Sequence, residues 1–185
     1  MRVISGSARG ITLKTPEGLN TRPTADRVKE AIFSIVQFDL PGKRVLDLFG
    51  GTGQLGIEAL SRGANSCTFV DQSDKACRLI KENLKRTKLI DQSQVVQTDY
   101  KSYLMKCNQK FDIIILDPPY AEDFLENSLK LITEIDILQY DGIIITERPL
   151  EKDLFVDFVG FTRSKDYKYG KTVITLFRKN TSDIA

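Results

Sequence analysis

The chain has no histidine and no tryptophan among its 185 residues. Without histidine, Ser–His and Cys–His nucleophilic pairs are excluded, and the commonest side-chain ligand for a transition metal is missing. Cysteine is scarce too: Cys67, Cys77 and Cys107 are odd in number and far apart. They form no zinc clip, and an odd count argues against a disulfide framework, so a reducing cytoplasm is expected. Long apolar runs are absent. The longest aliphatic stretches are Ile113–Leu116 and Ile143–Ile145, far below the roughly 20 residues of a membrane span. Neither a membrane nor a metal is therefore an expected partner. No apolar segment follows Met1–Gly6, so no secretory signal is expected. Charge of one sign is also lacking: 27 basic residues against 25 acidic ones leave a formal charge of +2. Whole-molecule charge does not announce a nucleic-acid partner.

What is present suits one globular α/β domain. The chain is 41% hydrophobic and 28% charged, the usual balance of a soluble fold with a full core. Its basic residues gather at the ends. Arg2, Arg9 and Lys14 stand near the N-terminus with no acid among residues 1–16. Arg163, Lys165, Lys168, Lys171, Arg178 and Lys179 outnumber Asp166 near the C-terminus. Two such ends fit phosphate, or else two solvated termini.

The middle alternates. Arg44–Phe49, Ser66–Val70, Val95–Thr98, Phe111–Leu116 and Gly142–Thr146 read as strands. Gln54–Ser61, Asp74–Thr87, Tyr100–Cys107 and Glu122–Ile135 read as helices, with Leu55, Ala59 and Leu60 on one side of the first. Asp74 is the expected cap of the second. This rhythm predicts a doubly wound, Rossmann-like α/β sheet. Residues 158–163 and 173–178 follow with no helix between them and should pair antiparallel at one edge. Before the sheet, Arg2–Ile4 and Ile11–Lys14 predict a small hairpin. A helix capped by Thr24 or Asp26 should then run to Phe38, with Val28, Ile32 and Ile35 inward.

Gly51, Gly53 and Gly56 match the dinucleotide fingerprint, and Asp71 supplies the acid expected after the second strand. Asp47 argues against a dinucleotide. At the end of the first strand it would repel a pyrophosphate. It would instead attract the ammonium and sulfonium of S-adenosylmethionine. Asp71 then suits the ribose hydroxyls, and Asp99, after the third strand, the adenine amine.

Asp117-Pro118-Pro119-Tyr120 follows the fourth strand directly, where the crevice of a doubly wound sheet opens. An ionised Asp117 only accepts hydrogen bonds, and prolines leave backbone carbonyls without internal partners. Asp117 and the Pro118 carbonyl can hold both hydrogens of an exocyclic amine, aiming its lone pair at an activated methyl. Tyr120 offers a stacking face for a base. The tetrad thus predicts methylation of a base amine by direct in-line transfer.

These residues resemble the RsmD family of bacterial 16S rRNA guanine-N2 methyltransferases. The likeness covers nearly the whole chain. It includes Arg2–Gly6, Leu13–Pro16, Thr21–Phe33, Asp47–Gly53 with Leu55–Ala64, Asp117–Tyr120, and Tyr169-Gly170 with Thr172. Gly50 departs from it, since the family more often has alanine there, and should only loosen the turn. The resemblance implies a class I sheet of seven strands with the last antiparallel. It implies S-adenosylmethionine as cofactor and transfer to N2 of one guanine, of the guanine-966 type. It implies 16S rRNA or the small ribosomal subunit as partner, and a monomer. Residues 1–40 become an RNA-facing extension and 41–185 the catalytic domain. Asp47, Phe49, Gly50, Gly51, Gly53, Asp71, Gln72, Asp99 and Tyr100 become the donor site, with Asp117 to Tyr120 catalytic. Arg2, Arg9, Lys14, Arg22 and Arg27 become candidate phosphate contacts, although Arg22 and Arg27 could instead pair with Asp26 or Glu30. The tetrad alone would equally serve an N6-adenine DNA methyltransferase. A non-catalytic RNA-binding assembly factor is a second alternative. An NAD-dependent oxidoreductase is disfavoured by Asp47.

Overall fold

The computed structural model describes residues 1–16, 23–119, 123–154 and 159–180. The helices are α1 (Pro23–Ile35), α2 (Gln54–Ser61), α3 (Asp74–Thr87), α4 (Tyr100–Lys106) and α5 (Phe124–Ile135). The strands are β1 (Arg44–Asp47), β2 (Ser66–Asp71), β3 (Ser93–Gln97), β4 (Phe111–Leu116), β5 (Leu138–Pro149), β6 (Phe161–Arg163), β7 (Tyr167–Tyr169) and β8 (Thr172–Lys179). They form one sheet in the order β3-β2-β1-β4-β5-β8-β6, with β7 also on β8. β1 to β5 pair parallel, and β8 returns antiparallel to β5. The order reverses between β1 and β4, so their carboxyl ends open a crevice. No helix among the described residues is long and apolar enough to cross a membrane.

Eight strands stand where the family pattern implies seven, because the edge strand is broken. β6 and β7 both pair with β8, but four steps from Arg163 to Tyr167 face three from Phe177 to Ile174. That one extra residue is a bulge. Asp166 fastens it, accepting from Thr175 Oγ1 at 2.7 Å, Arg148 at 2.6 Å and Arg163 at 3.2 Å. Gly170 and Lys171 make the turn between β7 and β8.

Several boundaries differ from the sequence expectation. β5 is far longer than Gly142–Thr146, being paired with β8 through Pro149. α1 stops at Ile35, and Phe38 beyond it is 90% exposed. The helix starts at Pro23, so neither Thr24 nor Asp26 is its cap; Asp26 sits in the first turn. Ser73, not Asp74, caps α3, its hydroxyl accepting from the Ala76 N–H. A serine oxygen one residue earlier reaches that orphan donor, which an aspartate inside the helix cannot.

Strand alternation divides the core. Val45, Ile113, Ile115, Ile143, Ile145 and Ile174 pack on one face with α1, α2 and α3. Leu46, Ile114, Leu116, Ile144 and Phe177 pack on the other with α4 and α5. Residues 1–16 form the expected hairpin-like turn, with an antiparallel bridge between Arg2 and Thr12. Val3, Ala8 and Leu13 enter the first core rather than standing apart from it.

That packing explains α2. A one-sided helix was expected, yet every residue from Leu55 to Ser61 is buried. The leader covers the outer face. Glu58, 0% exposed, accepts from the Ile4 N–H at 2.8 Å, the Ser5 N–H at 3.0 Å and Arg62 Nε at 2.8 Å. Lys29 of α1, 1% exposed, lies 3.6 Å from the same carboxylate and donates to the Arg2 carbonyl at 2.5 Å. Gly6 fits against Ser61 at φ +84; a Cβ there would fall 1.7 Å from the Ser61 carbonyl oxygen.

Glu58→Ala would leave Lys29 buried without its counter-ion and two leader N–H groups without acceptors. Stability should fall by about 3–5 kcal/mol in urea denaturation. A loss below about 1 kcal/mol would show that this carboxylate does not hold the leader.

Candidate active site

A cavity of about 910 Å³ opens at the carboxyl ends of β1, β2, β3 and β4. It is lined by Phe49, Gly51, Asp71, Gln72, Asp99, Tyr100, Asp117, Pro118 and Pro119, all expected from sequence. Leu48, Thr98, Lys101, Asp123, Phe124 and Asn127 line it as well and were not foreseen.

The glycine loop is shaped by its hydrogen bonds. The Gly50 N–H donates to the Val70 carbonyl at 2.8 Å, and the Gly53 N–H returns to Gly50 at 2.7 Å. Gly51 and Gly53 have φ of +55 and +79, the left-handed region that favours glycine. Gly53 precedes α2 directly. A Cβ at Gly50 would lie 2.8 Å from Ile80 Cδ1, the far end of a flexible side chain that can turn aside. Gly56 lets α2 approach β2, since a Cβ would meet Phe69 at 2.2 Å.

Asp71 braces the loop. One carboxylate oxygen accepts from the Gly51 N–H at 2.8 Å and the other from the Ser73 N–H at 2.8 Å. Each oxygen keeps a further lone pair toward the cavity. Asp99 caps α4 by accepting from the Ser102 N–H at 2.9 Å. The Ser102 hydrogen bonds hold its carboxyl below the usual range.

Asp47 lies beneath the loop, not at its mouth. It is fully buried, and Oδ2 accepts from the Gly56 N–H at 3.0 Å. Oδ1 has no hydrogen-bond partner among the described residues. Burial pushes the carboxyl up from 3.8 to about 7, and the charge of Asp71 adds to the rise. Asp117 follows β4 and is half-buried. Burial first, then the charges of Glu147 and Asp47, push it well above the carboxylate range.

Aromatic packing closes the far wall. Phe49, Tyr100 and Phe124 form a trio with ring centroids 5.4–6.1 Å apart. Phe124 begins α5, so this packing draws the first turn of that helix to the cavity. An aromatic at a helix start was the signal for it in sequence, but only the fold gives it a neighbour.

Arg2, Arg9 and Arg27 are exposed, with no ion pair among the described residues. Lys14 pairs with Glu82 at 2.7 Å. Arg22 and Tyr120 lie outside the described residues, as does the site expected to include them at those two positions.

A sheet wound this way, with carboxylates where a dinucleotide enzyme presents phosphate-binding groups, has the class I methyltransferase architecture. The family model described as "Conserved hypothetical protein 95" matches residues 1–178. The chain belongs to that family, the RsmD family of methyltransferases. It is 42% identical over 182 residues to the Bacillus subtilis protein named "Putative rRNA methyltransferase YlbH", covering 97% of this chain and 99% of that one. It is 32% identical to the Ribosomal RNA small subunit methyltransferase D of Haemophilus influenzae, covering 83% and 81%. The solved structure "Putative methyltransferase yhhF" of Escherichia coli superposes with a TM-score of 0.88 at 28% identity, covering 98% and 99%.

The Asp47 proton gives a pH test. In the fold it is held to about pH 7, whereas the unfolded chain releases it near 3.8. The unfolded chain therefore binds fewer protons between these values, and stability falls as pH rises through that window. Asp47→Asn should flatten the fall in urea midpoints measured from pH 4 to 8. An unchanged slope would assign the titration to another group.

Proposed function

We propose that the protein methylates the exocyclic N2 of a guanine in 16S rRNA, of the guanine-966 type, using S-adenosylmethionine. The observation that carries this reading is Asp117 with Pro118 and Pro119 on the rim of an acid-lined cavity beside the glycine loop. When bound, S-adenosylmethionine supplies an electrophilic methyl group on a cationic sulfur.

The residues fit such a donor. Oδ1 of Asp47 is a buried acceptor without a partner among the described residues, and a donor ammonium group would supply one. Asp71 remains an acceptor for vicinal hydroxyls. The trio of Phe49, Tyr100 and Phe124 offers ring surface for a flat heterocycle. A cation here also draws the raised carboxyl of Asp117 back toward its ionised form.

Ionised Asp117 and the Pro118 carbonyl then hold the two hydrogens of the amine. This removes freedom from the nucleophile and turns its lone pair toward the cavity. As positive charge grows on nitrogen, both acceptors stabilise it without reorganising. Asp117 is also placed to receive the proton that the alkylated nitrogen sheds. The exposed Arg2, Arg9 and Arg27 suit phosphate, with residues 1–40 as the RNA-facing part and 41–185 as the catalytic part. Lys14 can join them only by leaving Glu82. A base in a duplex hides its amine, so the target should be unpaired or extruded.

The reading is tested by mass mapping of nucleosides from 16S rRNA and small subunits incubated with protein and donor. N2-methylguanine at one site is expected. Methyl on adenine N6 of DNA would favour the rival chemistry of the same tetrad, and no methyl with intact RNA binding would favour an assembly factor. Asp117→Ala should keep donor affinity within about threefold while turnover falls about 10²–10³-fold. Asp71→Ala should instead weaken donor binding in calorimetry. Equal losses of donor affinity in both variants would overturn the assigned roles.

A further inference from the structure

Asp117 does not stand alone at the rim. After a register shift between Phe111 and Ile113, β4 and β5 run parallel in one register that pairs Ile113 with Ile143, Ile115 with Ile145 and Leu116 with Thr146. The next level across this pair sets Asp117 beside Glu147. Adjacent strands are about 4.8 Å apart, so side chains at one level project side by side. Alternation fixes the face: Ile113, Ile115, Ile143 and Ile145 share the first core, and Asp117 and Glu147 continue those two columns. Glu147 is half-buried and opposite Ile174 on β8. Asp117 lines the donor cavity and Glu147 does not. Asp117 thus separates the cavity from Glu147, and a base presented to Asp117 from the far side meets Glu147 as its neighbour.

Asp47 ends β1, Asp117 directly follows β4 and Glu147 lies in β5, three neighbouring strands, and Oδ1 of Asp47 is buried without a partner among the described residues. Such a row calls for a ligand edge rich in N–H groups.

We infer that Glu147 is a specificity-determining residue, accepting the N1–H of the target guanine while Asp117 and the Pro118 carbonyl hold its N2 amine. This rests on the proposed guanine substrate. Guanine carries N1–H and the N2 amine at neighbouring positions of its Watson–Crick edge, so two carboxylates side by side match two adjacent donor groups. Adenine also has an amine, but its N1 is a bare acceptor. With its amine on Asp117, adenine would turn a lone pair toward Glu147, and the carboxylate would lose a partner and gain a repulsion. The tetrad therefore selects for an amine, and Glu147 selects which base brings it.

The test uses RNA fragments in which the target guanine is replaced by 2-aminopurine, which keeps the N2 amine but has no proton on N1. The wild-type protein should show kcat/KM at least about tenfold higher for guanine than for 2-aminopurine. In Glu147→Gln the side-chain amide can donate to the bare N1, so the ratio should fall to about threefold or below, with circular dichroism confirming the fold. A ratio in the variant equal to that of the wild type, with guanine still methylated, would overturn the role of Glu147 alone. A wild-type ratio below tenfold would overturn it too, and that arm does not depend on the variant folding. Failure of the wild type to methylate guanine RNA at all would instead sink the proposed function.

Discussion

The fold turns on one buried carboxylate. Glu58 sits in the middle of α2, whose first residue follows the glycine loop, and it binds both the leader and α1. Lys29 and Arg62 balance its charge, while two backbone N–H groups fill its remaining lone pairs. Such a group is costly to bury and tolerable only when fully satisfied. Here the satisfying groups come from three segments of the chain. The leader therefore belongs to the domain's own core, and the helix carrying the loop is clamped on both faces. Lys14 and Asn83 repeat the device on α3. The Asn83 side chain accepts from the Lys14 N–H at 2.7 Å and donates to the carbonyls of Lys14 and Thr52.

The strand-end acids impose the opposite arrangement. Asp71 and Asp99 spend hydrogen-bonding capacity on the architecture, bracing the loop and capping α4. At Asp47 and Asp117 burial dominates instead, and it raises their proton affinity. Identical side chains at equivalent places in the sheet thus divide into structural acceptors and poised ones. The difference lies in burial and in the second oxygen: both oxygens of Asp71 accept backbone N–H groups, whereas Asp47 is fully buried with only Oδ2 so held.

Much of this was legible in sequence because a doubly wound sheet gathers its strand ends at one edge. Knowing that Asp71, Asp99 and Asp117 follow strands was enough to put them in one cavity. The rest depended on tertiary packing that no local pattern carries. Glu58 looked like the solvent face of an amphipathic helix until the leader covered it. Asp47 was expected to face the ligand, and it lies under the loop because the Gly56 N–H holds it there. Lys14 looked free for phosphate, but its partner Glu82 is 68 residues away. Phe124 joined the cavity only by stacking with Phe49 and Tyr100. The eighth strand came from a one-residue bulge, which alters neither composition nor periodicity.

The lining of the cavity has a consequence for anything polymeric that approaches it. Among the described lining residues Asp71, Asp99, Asp117 and Asp123 stand against Lys101, while the exposed Arg2 and Arg9 of the leader lie outside. A polyanionic strand is repelled from such a mouth and drawn to its surroundings. Of such a strand, the uncharged heterocycle held at arm's length from its sugar and phosphate escapes that repulsion. The charge pattern therefore acts as a sieve that sorts the parts of one nucleotide, admitting the base and stopping the backbone at the threshold.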